Sequence, residues 1–221
     1  MGNADKDKGG SGRPRDRAAT ERSLVEAAKQ VLAEEGFQGF GVNAIARRAA
    51  CDKQLIYRYF GGLEGLADAV GTDLAGKLAD DLTPLSTARP PTTYGELIKL
   101  FMHGLIDLLR GDPILRQIVT WEVAAPSPLL TRLSEARGKR LALWMHERRG
   151  TLVPPDGVDA PAVNAVLIAS VQHLVLSAAA SGGFAGLSLT GEADWQRVHQ
   201  ALGMLADGIY GTDQGGSGAP V

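Results

Sequence analysis

The run GVNAIARRAACDKQLIYRYF, residues 41–60, decides how the rest of the chain is read. It divides into two short helices and a tight connection. Ile45, Ala46 and Ala49 give the first helix a small apolar face. Asp52 then stands where a carboxylate accepts a hydrogen bond from an unpaired first-turn N–H of the second helix. In that helix Ile56, Tyr59 and Phe60 fall at i, i+3 and i+4, so they share one face and point inward. Lys53, Gln54, Tyr57 and Arg58 fall opposite. A short helix with an apolar back and such a front suits a DNA major groove, where cations and hydroxyls bind phosphates and Gln reads adenine edges. The same spacing also fits an ordinary amphipathic hairpin with a solvated front.

The context around this run carries a resemblance. LIYRYF, preceded by AIARRAACDKQ and followed by GGLEGL, resembles the DNA-binding domain of the TetR family of transcriptional regulators over about fifty residues, from Arg17 to Val70. The family pattern is an Ile-Ala pair, a turn, a Leu/Ile-Tyr-x-x-Phe recognition helix and a fourth helix with an early Leu. Here these are Ile45-Ala46, Ala50-Cys51-Asp52, Ile56 to Phe60, and Leu66. The resemblance implies a DNA-contacting set of Val42, Asn43, Arg48, Asp52, Lys53, Gln54, Leu55, Tyr57, Arg58 and Tyr59. There are three departures. Gly41 and Val42 stand where the family often has Thr or Ser, Ala50 replaces a usual Gly in the turn, and Leu63 replaces a frequent phosphate-binding Lys. If the turn needs a positive φ at position 50, Ala costs roughly 1 kcal/mol there.

At 221 residues and 44% hydrophobic content, the chain supports one or two domains with a sizeable core. A net charge of −2 argues against bulk coating of nucleic acid, but Arg47, Arg48, Lys53 and Arg58 face only Asp52 within residues 39–60. The single Cys51 excludes an intrachain disulfide, and the polar N-terminus does not read as a signal peptide, so a cytoplasmic protein is expected. Residues 1–12 read as disordered, with Arg13, Arg15 and Arg17 forming a basic arm ahead of the first helix.

Helical spacing continues along the chain. Leu24, Ala27, Ala28, Val31 and Leu32 mark a helix over 18–35 that Gly36 stops. Leu63, Leu66, Val70, Leu74, Leu78 and Leu82 mark a long fourth helix closed by Pro84, and the proline-rich 83–93 reads as a boundary. Further helices are expected over 94–110, 114–123 and 129–149. There is no β-alternation and no repeat. The span 160–191 contains no Lys, Arg, Asp or Glu. Asn164, Ser170, Gln172, His173 and Ser177 interrupt it and no basic cluster flanks it, which disfavours a membrane span. Its natural cover is a partner subunit. Trp195, Val198, Leu202, Leu205 and Ile209 step by three and four, a seam for helix packing. In the TetR family the last two long helices form a two-fold four-helix dimer interface, which the resemblance implies here.

The expected fold is all-α: a helix-turn-helix three-helix DNA-binding domain over 17–62, a helical effector-binding and dimerisation domain over 63–211, and disordered ends at 1–16 and 212–221. Phosphate-loop, nucleophile-elbow and zinc motifs are missing from the sequence, so no enzyme, cofactor or metal is expected. Phe101, His103, Trp121, Glu122, Trp144 and His173 are the candidate lining of a pocket for a small, largely apolar effector, their default role being core. These readings add up to a homodimeric regulator, a repressor released by its effector, that places residues 53–59 in successive major grooves about 34–36 Å apart on a near-palindromic operator. Two other readings fit the same residues: a DNA-bound adaptor without a ligand, and a small-molecule-binding helical protein or enzyme.

Overall fold

The computed structural model describes residues 13–125 and 127–211, with the side chains of 13–16 left aside. The expectations for residues 1–12, for the Arg13 and Arg15 side chains and for 212–221 lie outside the described residues. The fold is all-α. The helices are α1 (Arg13–Gly39), α2 (Val42–Arg48), α3 (Gln54–Phe60), α4 (Leu63–Ala88), α5 (Tyr94–Gly111), α6 (Pro113–Ala124), α7 (Pro128–Arg149), α8 (Ala160–Ser181) and α9 (Glu192–Tyr210). Between α8 and α9, in a stretch without β-alternation, a hairpin of two-residue strands pairs β1 (Gly183–Phe184) with β2 (Leu187–Ser188).

Contacts divide the chain into two compact units. Among the described residues, the first comprises 13–73 together with 121–125 and 127–136, and the second 74–120 together with 137–211. In the first unit the stripe Leu24, Ala27, Ala28, Val31 and Leu32 of α1 is buried, as are Ile45 and Ala46 of α2 and Ile56 of α3. Helix α1 is anchored to α4 by Lys29, which reaches Asp73 at 2.8 Å. Arg132 of α7 grips the same helix, donating to both oxygens of Asp68 at 2.7 and 2.8 Å and to Glu64 at 3.0 Å. Gly71 permits this approach, because a Cβ there would collide with the Leu133 carbonyl.

Two helices end differently from the sequence expectation. Helix α1 continues to Gly39, but Gly36 breaks it with φ 66° and ψ −163°. Helix α4 runs through Pro84 to Ala88. Proline removes one helical N–H and crowds the carbonyl four residues back, so it bends a helix unless neighbouring groups compensate. Here Thr83 Oγ1 donates to Ala79 O at 2.6 Å, while the Ser86 and Thr87 hydroxyls donate to Thr83 O at 2.9 and 2.8 Å.

The second unit is built on α5, whose Leu97, Ile98, Phe101, Met102, Leu105, Ile106, Leu108 and Leu109 are all buried. Helices α8 and α9 both pack against it. Thr93 caps α5 by accepting from Glu96 N at 3.1 Å, and Asp159 caps α8 by accepting from Ala162 N at 3.1 Å. Trp195, Val198 and Leu202 of α9 are buried, whereas Leu205 is 53% and Met204 75% exposed. The expected seam is therefore split. Trp195 to Leu202 belong to this chain's own core, and the outward apolar residues of α9 lie on a neighbouring stripe.

A polar relay fastens α5, α8 and α9 together. Tyr210 Oη donates to Asn164 Oδ1 at 2.8 Å, Asn164 Nδ2 donates to Tyr94 Oη at 2.9 Å, and the two tyrosine rings meet edge-on at 5.0 Å. Burial first, then the charges of Tyr94 and Asp159, push the Tyr210 hydroxyl up to about 12. A raised folded-state value favours the neutral phenol. Its contribution is complete below the unfolded value near 10 and is lost as pH rises through about 12. Denaturant titrations across this window should show wild type losing on the order of 1–2 kcal/mol more than Tyr210→Phe. Parallel pH profiles for the two proteins would remove Tyr210 as the cause.

Candidate nucleic-acid interface

The α2–α3 unit follows from local chemistry. Asp52 Oδ1 accepts from Gln54 N at 2.8 Å, satisfying a first-turn donor of α3 as the sequence indicated. Cys51 N bonds back to Ala46 O at 3.0 Å, which closes the turn. Burial first, and then Asp52, push the Cys51 thiol up, so the turn carries an un-ionised sulfur. Ala50 has φ 51°, the left-handed conformation that glycine would adopt without strain. Ala50→Gly should therefore leave stability unchanged or raise it, with a gain of up to about 1 kcal/mol. Equilibrium urea unfolding measures this, and a clear loss would mean that Ala50 contributes packing that offsets its backbone strain.

Ile56 is fully buried and orients α3, so Lys53, Gln54, Tyr57 and Arg58 are exposed on the other side, Tyr57 at 57%. Leu55, Tyr59 and Phe60 are half-buried. On α2, Asn43 is exposed and Val42 half-buried. Arg48 behaves differently from its neighbours. Its guanidinium donates to both oxygens of Glu34, at 2.9 and 2.6 Å, and thereby holds that carboxyl below its ordinary range. Arg47, Lys53 and Arg58 make no ion pair among the described residues, so the local positive surplus rests on these three. Arg17, from α1, stacks over the Tyr59 ring at 5.3 Å, and Arg58 lies 5.8 Å from the same ring. This adds Arg17 and Arg47 to the residues at the reading face. Arg17 had been assigned to a basic arm, and Arg47 had been counted only in the local charge.

The effector candidates divide between the two units. Trp121 and Glu122 belong to the first unit, and Phe101, His103, Trp144 and His173 to the second. Phe101 and Trp144 are 4% and 2% exposed and pack together at 6.1 Å, and Trp144 Nε1 donates to Thr83 Oγ1 at 3.0 Å. His173 is exposed on α8, edge-on to Phe184. His103 lines a cleft of about 480 Å³ together with Leu85, Arg89, Pro90, Pro91, Glu96, Lys99 and Leu100. Its ring meets His199 at 4.6 Å, and Nε2 lies 3.3 Å from the His199 carbonyl. Burial, and next the neighbouring His199, hold His103 below the usual imidazole value. The cleft residues of the α4–α5 connection were read from sequence as a boundary. Their one visible signal was the Pro90-Pro91 pair.

Two helices crossing at a tight turn, the second presenting Lys, Gln, Tyr and Arg outward from a buried Ile, define a helix-turn-helix DNA-binding protein. The comparisons agree. Residues 24–70 match the family described as bacterial regulatory proteins, tetR family. BetI of Klebsiella pneumoniae, an HTH-type transcriptional regulator, is 26% identical over 164 residues, covering 73% of this chain and 83% of its own. Other curated relatives are spanned over only about 60% of their length. Among solved structures, a TetR family transcription regulator from Marinobacter aquaeolei superposes with a TM-score of 0.61 at 20% identity, covering 88% of this chain and 98% of the other. FadR of Bacillus subtilis, in complex with stearoyl-CoA, superposes with 0.61 at 17% identity, covering 86% and 98%. The likeness to TetR-family regulators is thus carried by the DNA-binding domain, residues 24–70.

Proposed function

We propose that the protein is a homodimeric repressor that occupies a near-palindromic operator and leaves it when a small amphipathic effector binds the second unit. The observation that carries the reading is α3 itself, with Ile56 buried behind and Tyr57, Arg58, Gln54 and Lys53 free in front. Gln54 and Arg58 have the donor geometry for adenine and guanine edges, whereas Lys53 and Tyr57 suit phosphates. Arg48 acts chiefly as a brace to α1 through Glu34 and reaches phosphate only if that pair opens.

Dimerisation is supported by the outward faces of the last two long helices. α8 is long and apolar enough to cross a membrane by length and composition, yet only 17% of its most apolar window is buried in the chain. Ala162, Ala165, Val166 and Ala169 of α8 and Ala201, Met204, Leu205 and Gly208 of α9 are exposed. A second copy covers such a surface economically, and two-fold symmetry then matches the two half-sites.

For the effector, the His103 cleft is our choice over the Phe101–Trp144 core. Leu85, Pro90, Pro91 and Leu100 offer apolar walls, and Arg89, set against Glu96 of the same cleft, offers a carboxylate or phosphate partner. The stearoyl-CoA complex of FadR from Bacillus subtilis supports an apolar chain with an anionic end as the ligand class.

Selection of binding sites from random duplexes with purified protein tests the reading. The enriched sequences should have two half-sites, and binding should weaken steeply with salt. Arg58→Ala should then cost about 1–3 kcal/mol and relax preference at one position per half-site. Wild-type affinity and selectivity in that variant would reverse the assigned orientation of α3.

A further inference from the structure

Trp121 occupies a place that its spacing in the sequence did not foretell. Helix α6 begins in the second unit at Pro113, but its last residues, from Trp121, belong to the first. There the indole sits on the backbone of Gly36: a methyl group on that residue would lie 2.9 Å from Trp121 Cζ2 and 3.0 Å from Cε2. Gly36, at φ 66° and ψ −163°, is the break in α1. That combination is essentially restricted to glycine. The Phe37–Phe40 stack at 5.9 Å and then α2 and α3 follow this break, with Arg48 of α2 bonded back to Glu34 ahead of it. Trp121 Nε1 is buried and has no hydrogen-bond partner among the described residues. A buried unpaired donor is unfavourable, so the value of tryptophan at this position lies in the bulk of its ring.

We propose that Trp121 is a positioning residue for operator binding: its ring, seated on Gly36, fixes the break in α1 and with it the direction of α2 and α3. The other end of α6 is held within the second unit. Asp112 accepts from Leu115 N at 3.0 Å and pairs with Lys77 of α4 at 2.6 Å. Helix α6 thus runs from an anchored cap to a wedge.

The inference rests on the operator-binding reading, so the wild-type protein and its selected operator are measured first. Trp121→Ala should bind that operator about tenfold or more weakly, and the amides of residues 37–48 should exchange with deuterium faster than in wild type. Trp121→Phe keeps a ring on Gly36 and discards only the unpaired N–H, so it should restore both affinity and protection. Tyr210→Phe, which removes the hydroxyl that donates to Asn164 in the second unit, should keep operator affinity and separates positioning from loss of a bond elsewhere in the chain. Operator binding by Trp121→Ala within about twofold of wild type, with unchanged exchange over 37–48, overturns the proposal. So does Trp121→Phe proving as defective as Trp121→Ala. Should the wild type select no operator, the regulator reading fails by itself, and the exchange comparison still decides whether Trp121 orders 37–48.

Discussion

Trp144→Ala is expected to destabilise the protein by about 3–5 kcal/mol, the range for truncating a large buried aromatic residue. The side chain is 2% exposed and packs against Phe101, itself 4% exposed. Its indole N–H also donates to Thr83 Oγ1, immediately before Pro84. Removing the ring leaves a cavity against α5 and takes one of two hydrogen bonds from the hydroxyl that bonds Ala79 O in the turn before the proline. Trp144→Phe keeps most of the volume but not the hydrogen bond, so it should lose less, about 1–2 kcal/mol. Equilibrium denaturation of the three proteins gives both numbers. A loss below about 1 kcal/mol for Trp144→Ala would mean that the ring borders open space, and would return this region to the list of effector pockets.

Trp144 also shows what a single sequence can and cannot reveal. The stripes of α1 and α4 were legible because each helix buries one face and the apolar residues recur every three or four positions. The α2–α3 turn was legible because Asp52, Ile56 and Phe60 are local and their roles follow from helix geometry. Pro84 was misread as a stop because part of what sustains the helix there comes from Trp144, 61 residues later. Arg48 was counted as a free cation because its partner, Glu34, is 14 residues back on another helix. Trp121 and Trp144, grouped as candidate lining of one pocket, fall into different units. In α9 the periodicity identified an apolar stripe but could not tell whether this chain or a second copy covers it, because both burials use the same residue types.

That ambiguity makes the paired substitutions Leu202→Glu and Leu205→Glu the sharpest test of assembly. Leu202 is 5% exposed and lies in the core that α9 forms with α5. A carboxylate there has no partner, and the penalty of about 3–5 kcal/mol should unfold much of the second unit. Leu205, three residues on, is 53% exposed, with Met204 beside it at 75%. Leu205→Glu should leave the chain folded, with helical circular dichroism and the Tyr210 relay intact, because within one subunit its carboxylate stays in water. If α8 and α9 meet a second copy, the same carboxylate becomes buried twice across the two-fold axis, and like charges face each other. Several kcal/mol of repulsion and desolvation then oppose association, and sedimentation should show a folded monomer that has lost cooperative binding to two half-sites. A wild-type dimer that persists in Leu205→Glu would place the interface on another surface. If Leu202→Glu remained folded and became monomeric instead, α9 would present its Trp195–Leu202 face to the partner, and its packing on α5 would have to be exchanged on assembly.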